Sequence, residues 1–150
     1  MHVIAGKAIC FHEAKSDEFK DYISRVIENT KECSNRLIEL GAKASSTDNH
    51  LFLLNVLDSF GINGLEAQNK LEEIRITANK NMLPGDKLSP KYASGMRIGF
   101  AAVTTRGCSK SDARKIADLI YNYLSGKIDN KEAKNEVKNL VKNWKKIEEI

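Results

Sequence analysis

The residues with most chemical promise fall in three short stretches: Asn79-Lys80-Asn81, Ser94-Gly95-Met96-Arg97-Ile98-Gly99, and Val103-Thr104-Thr105-Arg106-Gly107. Met96, Ile98 and Phe100 alternate as one face of a short strand would, which turns Arg97 to the opposite face. An arginine there, between two glycines and beside a long loop, is placed to grip an anion. Its planar guanidinium fits a carboxylate at two points, a geometry that the point charge of lysine cannot reproduce. The competing reading is a structural arginine paired with a nearby acid, as surface guanidinium groups often are.

The other reactive residue types exclude more than they offer. Cys10, Cys33 and Cys108 are odd in number and have no C-x-x-C spacing, which argues against both a disulfide framework and a zinc site. They read as reduced, half-buried thiols. His2, His12 and His50 lack the i, i+4 pairing of a helical metal site, so no metal is expected.

Several elements must position these residues. His2 to about Lys15 is apolar on most sides and, as a helix, wants covering by something else. Ser16 and Asp17 offer an N-cap to an amphipathic helix of about 24 residues, roughly 36 Å long, that Gly41 stops. The apolar run His50–Leu57, after a Ser-Ser-Thr-Asp-Asn turn cluster, reads as a strand. Gly61–Gly64 is a loop and Leu65–Arg75 a short helix. Asn79–Tyr92 holds both prolines together with Gly85 and Asp86, and reads as a long irregular loop of the kind that often carries function. Met96–Phe100 is a strand, Ser109–Leu124 a helix, and Asn130–Glu149 a last helix with Ala133, Val137, Leu140, Val141, Trp144 and Ile147 along one stripe. The fold class is α/β or α+β, a small sheet covered by helices.

Composition bounds the class. The chain has 150 residues, 41% hydrophobic and 29% charged, which suits one ordinary soluble domain and is too apolar for disorder. There is no apolar run of about 20 residues to span a membrane, and no basic leader or cleavage pattern, so a cytoplasmic protein is expected. The net charge is +4, but the lysines are dispersed. Even Gly126–Ile150, with seven lysines and five acids, is only weakly basic, and no nucleic-acid partner is expected.

Four segments, in order and at suitable spacing, carry a family resemblance: MHVIAGKA at Met1–Ala8, TDNHLFL at Thr47–Leu53, NKN at Asn79–Asn81, and SGMRIG with AVTTRG at Ser94–Gly107. Together they make the chain resemble the C-terminal portion of serine hydroxymethyltransferase, the pyridoxal phosphate (PLP)- and folate-dependent enzyme that interconverts serine and glycine. The resemblance runs over nearly the whole chain. It implies the aspartate-aminotransferase-like fold, with residues 1–41 the helical segment that follows the large PLP domain and residues 42–150 the small C-terminal domain with its terminal helix. It places the hold on the substrate α-carboxylate on Arg97 and a pterin contact on Asn81. The family's Ser-Pro-Phe at the folate site reads Ser89-Pro90-Lys91 here, an aromatic contact turned to lysine.

Other departures matter. Ser45 and Ser46 replace two glycines that usually precede TDNH, and Phe100-Ala101 replaces the usual Thr-Pro. Both fall where tight turning would disfavour free exchange of glycine and proline. The lysine motif that binds PLP is absent, so no catalytic residue is expected in this chain, and Met1 aligns with an internal methionine just after the phosphate-holding glycines. PLP and tetrahydrofolate therefore belong to the intact enzyme rather than to this chain alone, which is expected to be inactive. The first helix implies self-association or docking onto the N-terminal PLP portion. The alternative is a non-enzymatic module that docks on a full-length enzyme or on a separately encoded N-terminal half.

Overall fold

The computed structural model describes residues 1–146. In chain order these form α1 (His2–Glu13), α2 (Asp17–Glu39), β1 (Lys43–Ala44), β2 (Leu51–Asn55), α3 (Val56–Phe60), α4 (Gly64–Glu73), β3 (Asn79–Asn81), β4 (Gly95–Gly99), α5 (Ala101–Thr105), α6 (Lys110–Leu124) and α7 (Asn130–Val141). The strands make one antiparallel sheet in the order β1-β2-β4-β3. The fold is thus a small antiparallel sheet with helices packed on one face.

Side-chain alternation explains that arrangement. Phe52 and Leu54 of β2, with Met96 and Ile98 of β4, point to the covered face and are buried. Cys33 and Leu37 of α2, Ala67 and Leu71 of α4, and Ala113, Ala117 and Ile120 of α6 close the core over them. The other face, bearing Leu51, Leu53, Asn55 and Arg97, has no buried side chain among these four. Helix α2 is fixed to α6 by ion pairs as well as by packing: Arg114 reaches Glu32 (2.8 Å) and Glu39 (2.7 Å), and Arg36 reaches Asp118 (2.7 Å).

Caps mark most boundaries where the sequence placed them. The Ser16 hydroxyl accepts from Phe19 N at the start of α2, and Ser109 with Asp112 forms a reciprocal capping box on α6. Four helices end in the same paired backbone motif, with its left-handed residue at Gly41, Arg75, Gly107 and Gly126. Helix α1 has no buried residue, and Val3, Ile4, Ile9 and Phe11 are each more than half exposed.

Three expectations need correction. The apolar run from His50 does not continue as a strand to Leu57: Asn55 caps a helix instead, accepting from Asp58 N at 3.0 Å, while Val56 N and Leu57 N both donate to the Ser94 carbonyl. Asn79–Asn81 is not loop but an edge strand, because its backbone pairs with β4 whatever the low strand preference of Asn and Lys. The last helix stops at Val141. The chain then folds back, and Lys145 N donates to the Arg106 carbonyl (2.8 Å) while Arg106 Nε donates to the Lys145 carbonyl (3.1 Å). Ile147 and Glu149, expected in that helix, lie outside the described residues.

Candidate functional site

The segment Tyr92-Ala93-Ser94 leads directly into the arginine strand, and two helix starts hold it. The first amides of α4, Gly64 N and Leu65 N, donate to the Ala93 and Tyr92 carbonyls, and the first amides of α3 donate to Ser94. These are amides that a helix cannot satisfy internally, so the clamp uses donors that would otherwise need water. Helix α4 can come this close because its first residue is glycine: a Cβ on Gly64 would sit 2.6 Å from the Gly95 carbonyl oxygen. Ala93 has φ +51°, uncommon for a residue with a side chain, and the clamp is what over-determines it.

Asp86 organises the rest of the loop. Its carboxylate accepts from Ser94 Oγ (2.6 Å), Ser94 N (2.8 Å), Leu88 N (2.9 Å) and Leu83 N (3.3 Å). The Ser94 hydroxyl and then the Leu88 amide draw its pKa down to about 2. Leu83 lies over Gly95, where an added Cβ would meet it at 2.6 Å. The loop is thereby seated on the open face of the sheet beside Arg97. The sequence marked Asp86 only as part of the long irregular loop Asn79–Tyr92, and the signal that could have found it is the spacing Asp86…Ser94 across that proline-containing loop.

Arg97 stands on that open face. Its cross-strand neighbours are Leu53 on β2 and Asn79 on β3, and its i±2 neighbours are the side-chain-free Gly95 and Gly99. Arg97 is exposed, and no acid and no side-chain hydrogen bond engages its guanidinium among the described residues. The competing reading of a structural ion pair therefore has no partner there. Asn81 shares this face, opposite Gly95, and its amide donates to the Met82 carbonyl at 2.6 Å. Ser89 and Lys91 are exposed in a turn where the Ser89 carbonyl accepts from Tyr92 N and Ala93 N, and Lys91 Nζ sits 5.4 Å from the centre of the Tyr92 ring. No hydrogen bond among the described residues joins Ser89 or Lys91 to Arg97 or Asn81. The strand register brings Arg97 and Asn81 together; it says nothing comparable for the other two.

The Thr47–His50 turn is occupied with local architecture. Thr47 Oγ1 donates to the Leu51 carbonyl and accepts from Asn49 N, Asn49 accepts from His50 N, and Asp48 pairs with Lys31 at 2.6 Å. Thr30 and Ser34 of α2 reach the His50 and Ser45 carbonyls. Ser45 and Ser46 are absent from the positive-φ residues, and the Ser45 hydroxyl accepts from Leu53 N, so serine is accommodated where glycine was expected. Phe100 is buried and begins α5 without a side-chain cap.

Two clefts are formed elsewhere, and neither is lined by Arg97, Asn81, Ser89 or Lys91. No cluster of three metal-ligating side chains occurs among the described residues. No helix among them is long and apolar enough to cross a membrane.

Comparison with known proteins adds an independent line. A sequence profile described as serine hydroxymethyltransferase matches residues 1–120. The serine hydroxymethyltransferase of Borrelia duttonii is 51% identical over 129 residues, 85% of this chain and 31% of that protein. Its counterpart in Borrelia turicatae is 50% identical over 131 residues, 86% of this chain and 31% of the relative. That of Borreliella afzelii is 45% identical over 148 residues, 96% of this chain and 35% of the relative. The chain spans about a third of the length of the curated relatives it matches.

Proposed function

Because this chain belongs to the serine hydroxymethyltransferase family, we propose that it is the C-terminal portion of such an enzyme, supplying contacts to the amino-acid substrate and to folate for the interconversion of serine and glycine. The unpaired Arg97 guanidinium on the open sheet face carries this reading. Two charge-assisted bonds from it would fix the α-carboxylate of serine or glycine, and orientation of this kind lowers a barrier by removing freedom before reaction. Asn81, on the same face, is the folate contact, its amide oxygen being available once a ligand approaches. Ser89 and Lys91 would border the folate at the loop.

Arg97 and Asn81 lie on an open face, apart from the two clefts described above. The complete site then needs the part of the enzyme that this chain does not span. We assign residues 1–41 to the helical connection from that part and residues 42–150 to the small domain. The apolar surface of α1 supports the same partner, since burying Val3, Ile4, Ile9 and Phe11 would contribute roughly 1.5–3 kcal/mol each. The assembled enzyme is assigned to the cytoplasm. The test is reconstitution. Joined in frame behind the corresponding N-terminal two-thirds of the Borrelia duttonii relative, the chain should give a protein that converts serine in the presence of PLP and tetrahydrofolate. The chain alone should not. A correctly folded, PLP-loaded fusion without serine turnover would contradict the reading.

A further inference from the structure

On the opposite side of the sheet from Arg97, a cleft of about 550 Å³ opens between the end of β4, α5, α6 and α7. Its floor is apolar, with Phe100, Val103, Ile116, Ile120 and Val141 among the lining residues. Two arginines, Arg75 and Arg106, line it too, and no aspartate or glutamate among the described residues does. The clasp between Arg106 and Lys145 brings the chain after α7 across one end, and the Arg106 guanidinium carbon lies 5.7 Å from the centre of the Trp144 ring. Of the Arg106 guanidinium, only Nε is used in that clasp. Its terminal amino groups, and the whole guanidinium of exposed Arg75, have no acidic partner among the described residues.

An apolar floor with two arginines and no carboxylate among its described lining residues, Asp112 being engaged with Trp144 beside it, is complementary to a small molecule with an apolar body and an anionic head. We propose that this cleft binds an anionic amphiphile, an unbranched apolar chain carrying a single carboxylate, with its tail on Phe100, Val103 and Ile116 and its head between Arg75 and Arg106. The volume lies within the range of small-molecule sites. Arginine suits the head because its fork presents paired donors to a carboxylate. The site is separate from Arg97, so its fate does not depend on the enzymatic reading.

Trp144 is the single tryptophan and reports on this cleft directly. The full chain is titrated with sodium decanoate below its micellar concentration, following Trp144 emission for location and calorimetry for affinity, with decanol as the uncharged control. We expect a saturable emission shift with decanoate. The affinity should fall at least tenfold in the double variant Arg75→Gln/Arg106→Gln, while decanol affinity changes less than twofold. Circular dichroism of the double variant confirms that the fold is kept. No saturable response to decanoate, or equal decanoate affinity in the variant and the parent, would overturn the proposal.

Discussion

At the scale of single residues, the side chains divide into those engaged by neighbours and those left free. Asp86 is engaged four times, and its folded pKa of about 2 lies below the ordinary carboxylate value of 3.8. A lowered carboxylate contributes stability above its unfolded pKa and loses it as pH falls through the folded value. Asp86→Asn should therefore lower the urea midpoint at pH 6 and make progressively less difference as pH approaches 2. A constant deficit across that range would contradict the role given to its charge. Asn29 is a second engaged residue that sequence reading passed over. Buried in α2, it donates to Thr104 Oγ1 (3.0 Å) and to the Cys108 carbonyl (2.9 Å). Asn29→Ala strips these acceptors of their donor and should cost about 1–3 kcal/mol in denaturant unfolding. Its position on the buried stripe was legible from spacing; its polarity hid it, because the partner lies 75 residues away. Arg97 was the opposite case, since strand alternation alone turned it to the open face.

Among elements, local signals gave the longer helices, but not α3 or α5, and tertiary pairing gave the exceptions. Ser16, Gly41 and Ser109 marked boundaries because caps act within a few residues. The split at Asn55 and the strand Asn79–Asn81 depend on partners contributed by Ser94 and β4, which no short window contains. The fold-back after Val141 likewise needs Arg106. The repeated helix-ending motif yields a prediction at this scale. Arg75 is the one non-glycine at its left-handed position, with φ +66°. Arg75→Gly should raise stability by about 1 kcal/mol, since a Cβ is disfavoured there by roughly that much. A denaturant midpoint that stayed put or fell would show that the arginine side chain stabilises the folded chain by more than the backbone cost.

For the whole molecule, two surfaces among the described residues lack cover: the sheet face around Arg97 and the whole of α1. Cys10 on α1 is exposed, whereas Cys33 and Cys108 are buried and burial pushes both thiols up, Cys108 to about 12. In the isolated chain one thiol should react rapidly with a disulfide reagent under native conditions, and three after unfolding. In the fusion with the N-terminal portion, Cys10 should become protected if α1 docks there. Rapid Cys10 labelling in an active fusion would mean that α1 is not the docking surface.

The kinetics of Arg97→Lys in that active fusion test the proposal that Arg97 holds the substrate carboxylate. Losing the partner of a close charged pair costs roughly 2–5 kcal/mol. At 1.36 kcal/mol per factor of ten, serine kcat/KM should fall about tens- to thousands-fold. PLP content should be unchanged if the other portion holds the cofactor, as proposed, and lysine should rescue little over alanine. Near-normal serine kinetics in Arg97→Lys, or loss of PLP in place of loss of substrate affinity, would mean that Arg97 does not hold the substrate carboxylate.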